Sequence, residues 1–250
     1  NIYSSFMQRA YDQVIHDVAI QNLHVIFCLD RGGVAGADGP THHGAYDMAY
    51  MRCIPNMVVS APMDEIDLRN LMFTASQKHS GPFSIRYPRG AGSIVDWRQP
   101  FETITIGTGR KLEAGEDIAI LTIGAIGTQA TEAIPLLKSR MISAAHYDMR
   151  FVKPLDEMLL HEVFGSFDEI ILVEDGCVLG GFGSAVIEFM VDNGYHAQVK
   201  RLGLPDQYVE HGTQQELYAE NGYDTHGIVE TAVAMMEQKN NRLRSIQTAG

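Results

Sequence analysis

The sequence predicts an α/β protein of two domains, each with a mostly parallel sheet flanked by helices. Short β-branched runs such as Ile118–Ile123 alternate with amphipathic stretches of helical period, and the alternation occurs twice. Between the two sets, from Arg89 to Glu116, the chain becomes rich in Gly, Pro and polar residues.

In the first set, Ser4 or Ser5 can cap a helix whose apolar positions Tyr11, Val14, Ile15 and Val18 fall at i, i+3, i+4 and i+7. A strand is expected over 24–29, then a long loop over 30–43, a strand over 57–60 and a helix beginning near Pro62. That helix carries Asp64, Glu65 and Asp67 at the positive end of its dipole and Leu68, Leu71, Met72 and Ala75 on one face. A strand over 82–87 closes the set. Three strands make a thin half-sheet with an exposed edge, so further strands are expected upstream and the chain is expected to start inside a domain.

A hairpin of 103–106 and 110–112 is expected around Gly107 and Gly109. The second set reads as strand 118–123, helix 129–137, strand 142–147, helix 155–164, strand 169–173, helix 184–191, strand 197–202 and helix 227–237. The expected divisions are a first domain over 1–95, a linker over 96–115, a second domain over 116–238 and a frayed tail without an apolar face over 239–250.

With 250 residues, 45% of them hydrophobic and 20% charged, the chain can bury a sizeable core. Against 31 Asp and Glu stand 19 Lys and Arg, a net charge of -12, which argues against a nucleic acid or an anionic membrane as partner. A small anion remains compatible wherever a few Arg converge. The three cysteines, Cys28, Cys53 and Cys177, form no CxxC pair, so a reducing, cytosolic setting is expected. No apolar run approaches the roughly 18 residues of a membrane span.

The segment Asp30-Arg-Gly-Gly-Val-Ala-Gly-Ala-Asp-Gly-Pro-Thr-His-His-Gly44 follows a strand that should be buried, which places it at the carboxyl edge of a parallel sheet, where ligands bind. Its glycines permit close backbone approach, and it carries Asp30, Arg31, Asp38, His42 and His43, so a functional reading is preferred to a plain surface loop. A metal held by Asp38, His42 and His43 is less favoured, since adjacent His residues rarely face one ion. Arg86-Tyr-Pro-Arg-Gly90 ends a strand at the same edge, and with Arg31 it suggests an anion site. Gly180-Gly-Phe-Gly-Ser184 can cradle an anion at a helix N-terminus or form a tight turn, and no cofactor is assigned to it. Tyr3 and Phe6 read by periodicity as core aromatics.

These segments, with Tyr3-Ser-Ser-Phe-Met-Gln-Arg-Ala-Tyr-Asp-Gln-Val14, Arg52-Cys-Ile-Pro55, Asp148-Met-Arg-Phe-Val-Lys-Pro-Leu-Asp156 and Gly203-Leu-Pro-Asp206, resemble the 1-deoxy-D-xylulose-5-phosphate synthase family from Tyr3 to about Glu237. The resemblance implies a pyrimidine-binding domain of the thiamine-diphosphate fold that lacks its start, followed by a transketolase C-terminal-like domain. It implies a transferase that condenses pyruvate with glyceraldehyde 3-phosphate, for isoprenoid, thiamine and pyridoxal synthesis, as a cytoplasmic, bacterial-type homodimer or a plastid form. Carried over by motif, Phe6 stacks on the aminopyrimidine and Arg9 lies near the cofactor. Tyr3, Arg31 and Arg89 hold the aldehyde's phosphate, while Asp38 and His42 contact the reacting groups. The role of His43 stays open. The family's catalytic Glu and magnesium motif belong to upstream segments, so the missing N-terminal domain of the same protein is an expected partner, the Mg2+ ligands are expected outside this chain, and the chain alone is expected to be inactive. Two alternatives remain: the beta-type subunit of a split thiamine-diphosphate enzyme, and a non-catalytic phosphometabolite-binding module.

Overall fold

The computed structural model describes residues 1–77, 81–92, 94 and 96–249, without the side chains of 246–249. The expected domain end at residue 95 and the last tail residue, 250, lie outside the described residues. Two five-stranded sheets are present, ordered β1-β2-β4-β3-β8 and β10-β9-β6-β7-β5. The first joins β1 (Ile2–Tyr3), β2 (Ile26–Asp30), β3 (Val58–Ser60), β4 (Phe83–Tyr87) and β8 (Phe151–Lys153). The second joins β5 (Arg110–Glu113), β6 (Ile118–Ile123), β7 (Ala144–Asp148), β9 (Glu169–Cys177) and β10 (Gln198–Leu204). Pairing is parallel except at the edges, where β8 runs against β3 and β5 against β7. All six residues of β6 are buried, the mark of a strand covered on both faces.

The thin three-strand half-sheet expected from the sequence is corrected to five strands. β1 adds one edge, and β8, supplied by the second half of the chain, covers the other with Phe151 fully buried. The expected hairpin over 103–112 does not form. Asn70 Oδ1 and Thr74 Oγ1 accept the backbone N–H groups of Glu102 and Ile104 at 3.0 and 2.9 Å, docking 102–104 on the first domain, and β5 pairs with β7 instead.

The helical N-terminus is continuous but irregular: α1 (Ser4–Met7), a 3-10 turn (Gln8–Ala10), α2 (Tyr11–Gln13) and a π-helical stretch (Val14–Ala19). Next come α3 (Asp47–Arg52) and α4 (Glu65–Ser76). The start of α4 falls three residues past Pro62 because the Asp64 carboxylate accepts the Asp67 N–H at 2.7 Å and so fixes the cap. On the second sheet lie α5 (Gly127–Ser139), α6 (Glu157–Ser166), α7 (Phe182–Asp192), α8 (Gln214–Glu220) and α9 (Thr225–Ala249). The tail expected to fray from residue 239 continues α9, and Arg242 pairs with buried Glu169 of β9. No described helix is long and apolar enough to cross a membrane.

The two halves share one core. A single buried cluster contains Leu29, Met48 and Met51 from the first half and Leu121, Leu172 and Phe182 from the second. Charge reinforces it: Asp67 of α4 accepts from Arg110 Nη2 at 2.5 Å and Arg150 Nη2 at 3.1 Å, while Arg110 Nε also donates to buried Asp148 at 3.1 Å. Burial pushes the Asp148 carboxyl up to about 6 against the pull of Arg110.

Candidate active site

β2 delivers loop 30–44 to the carboxyl edge of the first sheet, and β4 delivers Arg89 beside it. At the base of the loop Gly33 and Gly44 exchange backbone hydrogen bonds, with Gly33 N donating to Gly44 O at 2.9 Å and Gly44 N to Gly33 O at 2.7 Å. Arg31 sits in the left-handed region at φ 59°, and its guanidinium lies 3.8 Å from the Tyr3 ring centroid and donates to Asp30 Oδ2 at 2.5 Å. Tyr3 stacks on Phe6 at 5.2 Å, and Phe6 meets His42 edge-on at 5.4 Å. Arg89 Nη1 donates to Ala35 O and to Asp38 Oδ2, both at 3.0 Å. Arg31 and Arg89 line a common cleft of about 820 Å3, together with Tyr87, Met63, Gln129 and Gln215. Six of the seven expected site residues thus gather on one edge. Arg9, exposed one turn after Phe6 in the 3-10 segment, makes no hydrogen bond, ion pair or ring contact with them among the described residues.

Phe6 is 42% exposed, which corrects the periodicity reading of a core aromatic. Arg86 is corrected in the other sense. It is 5% exposed, donates from Nε to Asp47 at 3.0 Å and from Nη2 to Gly44 O at 3.2 Å and Asp175 O at 2.8 Å, and so is enclosed by the protein as a structural arginine. Burial works against its charge, but Asp47, Asp175 and Glu174 outweigh it and hold the guanidinium's pKa above its ordinary value.

His43 acts as a bridge between the domains. Its Nδ1 accepts the Ala35 N–H at 2.9 Å, which leaves the proton on Nε2 for the Glu210 carbonyl at 3.1 Å. Both ring nitrogens are used, which removes it from the metal set weighed above. His42 is held differently, by Thr41 Oγ1 at Nδ1 at 2.9 Å, and its Nε2 makes no hydrogen bond among the described residues.

The Gly-rich turn at 180–184 holds no open anion cradle, because the protein fills it. Glu174 accepts the N–H groups of Phe182 and Gly183 at the start of α7, both at 2.8 Å. Burial pushes this carboxyl up to about 7 although both N–H bonds and two arginines oppose the shift. Its neighbour Asp175, missed in the sequence reading, accepts the Val34 N–H at 3.0 Å and the hydroxyls of Tyr218 and Tyr223 at 3.2 Å each. Two adjacent carboxylates ending a buried strand were the available signal.

The two sheets with this edge site define a transketolase-type domain pair. The pyrimidine-binding domain of transketolase matches residues 1–93 and the transketolase C-terminal domain matches residues 107–228, so the chain belongs to the transketolase family. Within it, the chain is 67% identical to the 1-deoxy-D-xylulose-5-phosphate synthase of Cytophaga hutchinsonii over 92% of its own length and 36% of that protein's. It is 59% identical to the synthase of Bacteroides fragilis over 91% of this chain and 35% of that one. At 48%, the synthase of Vibrio vulnificus is covered to 36% and covers 91% of this chain. The chain therefore spans about a third of the length of the curated relatives it matches. A solved structure described as a split gene transketolase, an inactive beta4 tetramer, superimposes with a TM-score of 0.83 at 28% identity, covering 94% of this chain and 75% of that one.

Proposed function

We propose that the chain supplies the substrate-facing and pyrimidine-facing part of a thiamine-diphosphate-dependent 1-deoxy-D-xylulose-5-phosphate synthase, which joins pyruvate to D-glyceraldehyde 3-phosphate and releases carbon dioxide. The observation that carries this reading is the gathering of Tyr3, Phe6, Arg31, Asp38, His42 and Arg89 at one sheet edge, with Arg31 and Arg89 lining the cleft beside it, in a chain so similar to such synthases. The proposal extends to a cytosolic homodimer whose product feeds isoprenoid, thiamine and pyridoxal synthesis.

The residues fit the cofactor. Tyr3 covers one side of Phe6, and the ring's remaining exposed surface suits a flat heterocycle. Arg9 lies on the adjacent turn. When bound, thiamine diphosphate supplies the nucleophilic carbon that takes up pyruvate. Among the described residues no group of three or more His, Cys, Asp or Glu could hold a metal ion. We place the ligands of a magnesium accompanying the diphosphate outside these residues.

Toward the acceptor, Arg31 and Arg89 present guanidiniums to the phosphate. Each has a carboxylate partner, but the Arg89–Asp38 pair is 40% and 37% exposed and so holds weakly in water. A dianionic phosphate can take the place of Asp38 on Arg89 and free that carboxylate for the reacting groups. His42 Nε2, which makes no hydrogen bond among the described residues, would exchange a proton with the reacting groups.

A second reading, the beta-type subunit of a split thiamine enzyme, is favoured by the likeness to the split gene transketolase. The donor separates a synthase from a split transketolase: pyruvate for the first, a ketose phosphate for the second.

In the complete protein containing these residues, Arg89→Ala should raise KM for glyceraldehyde 3-phosphate far more than KM for pyruvate, because only the acceptor carries a phosphate. One charge-assisted contact is worth roughly 1.5–3 kcal/mol, on the order of 10–100-fold in acceptor efficiency. Arg89→Lys should recover part of this, and Arg31→Ala should combine non-additively with it. Equal effects on both substrates would place the phosphate elsewhere.

A further inference from the structure

Loop 30–44 is held from the second domain as well as from within. The N–H of Val34 is bound by Asp175 at 3.0 Å and its carbonyl by Gln214 Nε2 at 2.9 Å, both from the second half of the chain. The Ala35 N–H donates to His43 Nδ1 at 2.9 Å, and the Ala35 carbonyl receives Arg89 Nη1 at 3.0 Å. Every backbone polar group of Val34 and Ala35 is thereby assigned, in a chain of contacts that runs from Asp175 through these two residues to Arg89. The loop's glycines belong to the same arrangement. Gly33 lies at φ 85°, and a Cβ there would fall 1.9 Å from Asp175 Oδ2. One at Gly36 would meet Gly212 O at 3.2 Å, and one at Gly39 would meet His211 Cβ at 3.4 Å. These glycines admit the second domain to the loop.

We infer that Asp175 is a positioning residue for the acceptor site: from the second domain it fixes the backbone at Val34, and through the adjoining Ala35 carbonyl it sets the guanidinium of Arg89. Asp175 is itself over-determined. It is 4% exposed, Tyr218 and Tyr223 donate to its two oxygens, and its own carbonyl receives Arg86 Nη2 at 2.8 Å. A carboxylate fixed on that many sides is a rigid reference against which a loop can be held, and small misplacements of a binding group are costly.

The inference rests on the reading of Arg89 as an acceptor-phosphate residue, and two readouts keep the two apart. The first is hydrogen exchange across 31–44 in the complete protein, which involves no substrate. Asp175→Ala should speed exchange there by roughly tenfold, the equivalent of about 1.4 kcal/mol, with strand β6 unchanged. The second is steady-state kinetics. Asp175→Ala should raise KM for glyceraldehyde 3-phosphate roughly tenfold with KM for pyruvate within about twofold, and Asp175→Asn, which keeps an oxygen for Val34, should recover most of this. Should Asp175→Ala not fold, Gln214→Ala, at the partly exposed start of α8, should show the same pattern at smaller size. Faster exchange without any turnover in the unaltered protein would sink the proposed function and leave the positioning role standing. Unchanged exchange at 31–44, or equal losses for both substrates without recovery by Asn, would overturn the inference.

Discussion

At Glu174 two effects oppose each other: two N–H donors favour the carboxylate, while complete burial favours the acid, and burial wins, pushing the group up to about 7. A carboxyl whose folded pKa lies above its unfolded value, near 4.5, binds more protons folded than unfolded between those limits. Its contribution is fully present below pH 4.5 and is lost as pH rises through 7. Against Glu174→Gln, which cannot titrate, the unaltered protein should lose on the order of 3 kcal/mol of relative stability between pH 4.5 and 8. Denaturant titrations of both forms across that range check this, and parallel pH curves would show that the carboxyl is ionised throughout. Residue chemistry was only partly legible in the sequence. Arg86 and Arg89 read alike at one strand end, yet Arg86 lies within β4 and is enclosed between the domains, while Arg89 lies past it, beside the cleft. The chain positions that enclose Arg86, Asp47 and Asp175, lie 39 and 89 residues away, and no local pattern announces them.

Legibility follows pattern: strands with a clear apolar run are legible, β3 included, while the polar C-terminal part of α9 and the other shortest elements are not. The strand over 118–123 has the ends expected from the sequence because an apolar run interrupted only by Thr122 fits little else. β1, β8 and α3, with two, three and six residues, are too short to establish a period, and β8 exists because Phe151 can be buried against the first sheet. The glycines of loop 30–44 signal close approach in the sequence, but the approaching group includes the second domain, which only tertiary structure reveals. The same docking of elements is testable at α4. Asp67, 2% exposed, is the first domain's partner for both Arg110 and Arg150. Asp67→Ala leaves two guanidiniums without it at a partly buried seam and should cost about 3 kcal/mol of unfolding free energy, since removing one side of a buried ion network strands the other. A loss below about 1 kcal/mol by denaturant titration would mean that Asp148 and water satisfy both arginines.

At the scale of the whole molecule, the second domain is structural support for a site whose proposed ligand-facing residues all come from the first. Asp175, Gln214 and the Glu210 carbonyl reach across to the loop, and the shared core fixes the distance they span. Such an arrangement can orient substrates, but the proposed chemistry also requires groups that act on the cofactor's pyrimidine and diphosphate. A polypeptide of these 250 residues alone, given thiamine diphosphate, magnesium, pyruvate and glyceraldehyde 3-phosphate, should therefore form no product. The most direct measurement is product analysis with the complete protein under the same conditions. The expected result is carbon dioxide and 1-deoxy-D-xylulose 5-phosphate in equal amounts, with turnover dependent on both substrates. Turnover of a ketose phosphate donor in place of pyruvate, or no release of carbon dioxide from pyruvate, would contradict it.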